Sequence, residues 1–120
     1  MYRLAWFTTA RGPGSRGLLK TVQEAISAGE VPARIEFVFC SRDPGEAEAT
    51  DVTLGMVREY GIPLVTFSCR EFKARHFTPD KPEHGLPAWR LEYDRQIMAR
   101  LKSWWPGRGK TDGTEKGRED

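Results

Sequence analysis

An α/β fold built on a parallel sheet is what the sequence predicts, and three observations carry it. Short apolar runs rich in aromatic and β-branched residues recur at 2–8, 34–40 and 62–67, with the length and composition of buried strands. Between them the apolar residues change to helical spacing, as at Leu18, Leu19, Val22, Ala25 and Ile26. Turn residues stand at the changes of period, in the stretch 11–17 and at Gly29, Gly45 and Gly61.

Taken in order, the first strand is 2–8, ended by Thr8-Thr9 and the turn Arg11-Gly12-Pro13-Gly14-Ser15-Arg16-Gly17. The first helix starts at Ser15, a residue type suited to an N-cap, and stops at Gly29. A second strand, 34–40, runs into the loop Ser41-Arg42-Asp43-Pro44-Gly45. The second helix spans 47–60, with Val52, Met56, Val57 and Tyr60 inward, and Gly61 with Pro63 ends it. After the third strand, 62–67, residues 68–87 read as a loop. The last helix covers about 88–103, with Trp89, Tyr93, Ile97 and Leu101 at steps of four. The order β-α-β-α-β-loop-α gives a Rossmann-like three-layer parallel sheet with right-handed crossovers. It is incomplete, because no fourth strand follows. In such sheets the first strand is central, so residues 2–8 are expected to lie exposed, open to self-association or to a complementing chain.

Composition narrows the function. The 120 residues suit one domain, 1–105, and a polar tail, 106–120, whose residues cannot bury apolar surface and are expected to be disordered. With 19 basic against 17 acidic side chains, no basic excess argues for nucleic acid. No segment has the length of a membrane span. Two separated cysteines, Cys40 and Cys69, make no disulfide framework and fit a reducing, cytoplasmic setting.

The turn after the first strand is the strongest chemical signal. The first N–H groups of a helix lack intrahelical partners, and the helix dipole adds about half a positive charge there. Glycines let an anion approach that backbone closely. Gly12, Gly14 and Ser15 supply this arrangement, and Arg16 adds a charge. The letters Gly12-x-Gly14-x-x-Gly17 also match the dinucleotide fingerprint, a weak signal alone. The acidic residue that an NAD site needs after the second strand is replaced by Ser41-Arg42. That pair suits a 2′-phosphate and keeps an NADP-binding unit of an oxidoreductase as an alternative.

Three stretches together resemble a known family. They are Ala5 to Ile26 with its Gly12-x-Gly14-Ser15 turn, Phe37-Val38-Phe39-Cys40-Ser41-Arg42-Asp43, and Tyr60-Gly61-Ile62-Pro63-Leu64-Val65. Tyr93-Asp94-Arg95 on the last helix adds to them. In this order and spacing they are similar to the N-terminal part of phosphoribosylglycinamide formyltransferase, over roughly 2–101. The resemblance implies formyl transfer from 10-formyltetrahydrofolate to glycinamide ribonucleotide, in purine biosynthesis. It also implies that the amides of Gly14, Ser15 and Arg16 hold the ribonucleotide phosphate. Arg16 stands where the family has asparagine. Near Ser103 the chain leaves the family's pattern, before a fourth strand, an Asn-x-His catalytic segment and a downstream aspartate. Most of the folate pocket belongs to that later half. The chain therefore reads as a truncated or frameshifted piece, inactive alone, or as a domain completed by a second chain. A non-catalytic phosphate-binding or interaction module is the third reading.

The remaining candidates have plainer explanations. Cys40 and Cys69 end the second and third strands, and with His76 and His84 they offer zinc ligands, but without close pairing, so no metal is expected. Neither histidine has a nucleophile or orienting acid at a diagnostic spacing. The basic run Arg70, Lys73, Arg75, His76 and Lys81 reads as a solvated loop.

Overall fold

The computed structural model of the chain describes residues 1–77 and 85–104. The polar tail, Trp105, Lys81 and His84 lie outside those residues. The chain divides into two compact units, Met1–Thr78 and Pro79–Asp120.

The first unit is a three-stranded parallel sheet with helices between its strands. Its elements are β1 (Tyr2–Thr8), α1 (Pro13–Ser27), β2 (Ala33–Cys40), α2 (Glu48–Glu59), β3 (Leu64–Thr66) and α3 (Cys69–His76). Strand order is β1-β2-β3, with β1 at an edge. This is one half of a doubly wound, Rossmann-like sheet.

Leu19 of α1, Val57 of α2, and Ile35 and Val38 of β2 form the core on one face, with Leu4, Trp6, Ile26 and Met56 packed against it. Each such aliphatic side chain contributes about 1.5–3 kcal/mol on burial. A bulge brings Ile35 and Val38 to the same face although they are three positions apart. The register passes from Leu4↔Ile35 to Ala5↔Phe37, which leaves Glu36 as the extra residue on β2. Phe37 and Phe39 then point to the other face, where both meet the ring of Phe7, at 6.1 and 5.6 Å.

Both long helices of this unit stop as the glycines predict. Gly29 has φ +80° and Gly61 φ +74°. In each case the two amides past the helix end turn back to its last carbonyls: Gly29 to Ile26 and Glu30 to Ala25, Gly61 to Arg58 and Ile62 to Val57.

Four expectations need correction. Ser15 is not the N-cap of α1: Gly12 is, because Pro13 opens the helix with its fixed φ. Leu18 is exposed, since only Leu19 of that adjacent pair can face the sheet. In α2 the inward face is Thr50, Thr53, Leu54 and Val57, and Val52 is half exposed. Two threonines with hydroxyl partners at Ala10 and Ala49 sit on the buried side, so a count of apolar residues misphases the helix. Within 68–87, residues Cys69–His76 form α3, so Cys69 opens a helix and does not end β3. Ser68 caps α3 by accepting the Glu71 amide at 3.1 Å, and Phe72 is buried beneath it.

The second unit contains α4 (Ala88–Leu101) followed by one 3₁₀ turn (Lys102–Trp104). Tyr93 and Leu101 are buried and Trp89 and Ile97 partly so, as the steps of four predict. Among the described residues, no helix is long and apolar enough to cross a membrane.

Candidate anion site

Parallel strands deliver their C-terminal ends to one edge, and here Thr8, Cys40 and Thr66 end β1, β2 and β3. Ligands of open α/β sheets bind outside this edge. Three helices start there, and two of them are compensated by their own residues. The first turn of α2 carries Glu48 and Asp51. That of α3 has the Ser68 cap and Glu71. α1 differs: Gly12 provides no side-chain cap, and the first turn holds no acidic residue. Pro13 has no N–H, so the amides of Gly14 and Ser15 are the donors this terminus offers.

The space beside the turn is open. A Cβ added at Gly12 or Gly14 would meet nothing within 4 Å, and neither residue needs a positive φ. Their lack of side chains thus serves no internal packing and leaves the backbone accessible. The Ser15 hydroxyl donates back to the Gly12 carbonyl at 3.2 Å. The Arg16 guanidinium turns toward α2 and donates to the Ala49 carbonyl at 3.4 Å.

A buried residue that sequence reasoning missed sets the position of this turn. Ala10 is fully buried with φ +53°, a left-handed conformation that costs an alanine roughly 1–2 kcal/mol. It is held from both sides. Its amide donates to the Thr8 hydroxyl at 2.9 Å, and its carbonyl accepts from the Thr50 hydroxyl at 3.0 Å. Thr50 is itself fully buried and also accepts from Arg42 at 3.5 Å.

The neighbouring loops are stitched to the same edge. The Ser41 amide donates to Thr8, the Phe67 amide to Cys40 and the Cys69 amide to Ser41. Asp43, Glu46 and Glu71 bring carboxylate oxygens within 4.8 Å of one another. Glu46 already accepts the Asp43 amide at 2.7 Å. Partial burial opposes its charge, but that amide, the Ser68 hydroxyl and the guanidinium groups of Arg70 and Arg42 outweigh it. They hold the carboxyl below the usual carboxylate range. Glu46 is thus engaged in holding its loop, and Glu71 pairs with Arg75 on α3 at 4.0 Å.

Cys40 is buried, and burial pushes its thiol up in spite of the Arg42 amide and charge. Both cysteines are free thiols. His76 stacks on Phe72 at 4.0 Å, and its Nδ1 lies 3.0 Å from the Phe72 carbonyl. Arg70, Lys73, Arg75 and His76 of the basic run lie on α3.

Of the four residues singled out for phosphate, Gly12, Gly14 and Ser15 lie together at the α1 terminus, while the Arg16 side chain is directed to α2. The missed partners, Thr8, Ala10 and Thr50, carry no motif. Comparison with known proteins returns no matching family model, no matching curated protein and no matching solved structure.

Proposed function

We propose that the β1–α1 turn binds the phosphate of a small ribonucleotide, and that the chain is the ribonucleotide-binding part of a formyltransferase-like domain. One observation carries the reading. Among the three helix N-termini at the C-terminal edge of the sheet, that of α1 alone lacks both a side-chain cap and a first-turn carboxylate. An anion is the chemical complement of such a terminus.

The resemblance to phosphoribosylglycinamide formyltransferase supplies the finer assignment: glycinamide ribonucleotide as acceptor and 10-formyltetrahydrofolate as formyl donor. The sequence contains no asparagine, so the family's Asn-x-His segment is not within these 120 residues. Formyl transfer is accordingly not assigned to this chain alone. The near balance of charge fits a small-molecule partner and not a nucleic acid, and two free thiols fit a cytoplasmic setting.

The NADP reading is weaker, because Arg42 already donates to the Thr50 hydroxyl at 3.5 Å. A non-catalytic phosphate-binding module would share the same turn.

Isothermal titration with ribose 5-phosphate tests the reading. Wild type is expected to bind. Gly14→Asp is expected to lose binding without losing stability, because its side chain has room and its carboxylate compensates the helix start in place of the ligand. Equal binding by both proteins, or none by wild type, overturns the assignment.

A further inference from the structure

We infer that β1 pairs antiparallel with β1 of a second copy of this chain, about a twofold axis centred on Ala5. Among the described residues β1 pairs with β2 alone. Its backbone phase identifies the groups left open. The Tyr2 amide donates to the Pro32 carbonyl at 2.8 Å, and the Thr8 carbonyl accepts from the Ser41 amide at 3.2 Å. The even-numbered residues of β1 therefore face β2. The extra residue of the bulge lies on β2, so the alternation along β1 is unbroken. It follows that Arg3, Ala5 and Phe7 turn both N–H and C=O to the open edge.

An extended strand is the geometric complement of such a row of groups. A twofold axis at Ala5 sets Ala5 against Ala5 and Arg3 against Phe7. All of these residues have the outward phase, so every pair is a hydrogen-bonded one that exchanges two bonds. The side chains complement one another in the same register. Leu4 faces Trp6 on one face of the joined sheet. On the other, the guanidinium of Arg3 meets the ring of Phe7, a favourable cation–π pair. Arg3 is the only charged residue in the strand, and this register does not place it opposite its own copy, whereas a register centred on Arg3 does. Ala5, the smallest side chain, sits at the axis.

Apart from Arg3, the edge carries none of the usual protection. β1 has no proline, no acidic residue and no bulge of its own. Tyr2 is 71% exposed and Phe7 53%, apolar surface that pairing would cover. The self-complementary backbone phase and the Arg3–Phe7 pairing select a second copy as the occupant and join two three-stranded sheets into one.

Sedimentation equilibrium of the full chain over a concentration series tests the pairing. Wild type is expected to dimerise. Ala5→Pro removes an amide that β2 does not use, so it should abolish the dimer with an unchanged far-ultraviolet circular dichroism spectrum. Phe7→Lys sets a lysine against Arg3 and should also give a monomer. Arg3→Glu combined with Phe7→Lys restores opposite charges and should recover the dimer. If Ala5→Pro fails to fold, the two Phe7→Lys proteins carry the test. A wild type that stays monomeric, a dimer that survives Phe7→Lys or folded Ala5→Pro, or a double variant that stays monomeric overturns the proposal.

Discussion

Thr50 shows how one side chain can govern a turn in another element. Its hydroxyl is buried at 0% exposure and donates to the carbonyl of Ala10, the residue in left-handed conformation just before the turn. The strain at Ala10 persists because Thr8 and Thr50 over-determine its position. Thr50→Val keeps the shape and removes the donor, leaving a buried carbonyl without its partner. The cost should be about 1–3 kcal/mol. In urea the unfolding midpoint should fall while the slope stays constant. A midpoint equal to wild type would mean that the hydroxyl does not hold the turn.

Elements are joined here by loop carboxylates. Glu46, in the loop between β2 and α2, reaches the Ser68 hydroxyl that caps α3 as well as the Asp43 amide. Its carboxyl titrates below the usual range in the folded chain. A group depressed in this way stabilises the fold fully above its unfolded value, and the contribution is lost as pH falls through the folded value. The stability advantage of wild type over Glu46→Gln should therefore be constant near neutral pH and shrink through the acid range. Urea melts at a series of pH values check this, and an advantage that grows on acidification contradicts it. Element order and helix ends were legible in the sequence, because glycine at Gly29 and Gly61 reports a local backbone demand. Helix phase was less so. The buried face of α2 uses Thr50, whose hydroxyl finds its partner at Ala10 forty positions away, and Thr53, which bonds the Ala49 carbonyl one turn back. α3 was missed although Ser68-x-x-Glu71 before Phe72 is its signature, because the surrounding charge concealed a helix with one buried apolar residue.

At the scale of the whole chain, a parallel sheet brings three helix starts to one edge, and internal residues compensate two of them. The turn Gly12–Ser15 was legible as a candidate because its chemistry is local. The parts that hold it were not, because Ala10 and Thr50 are forty positions apart and meet only in the fold. The uncompensated start of α1 is the proposed seat of phosphate. The most direct test is an amide NMR titration with ribose 5-phosphate. The signals of Gly14, Ser15 and Arg16 are expected to move first and saturate together. Signals that stay still at this turn, while amides elsewhere shift with saturation, would contradict it.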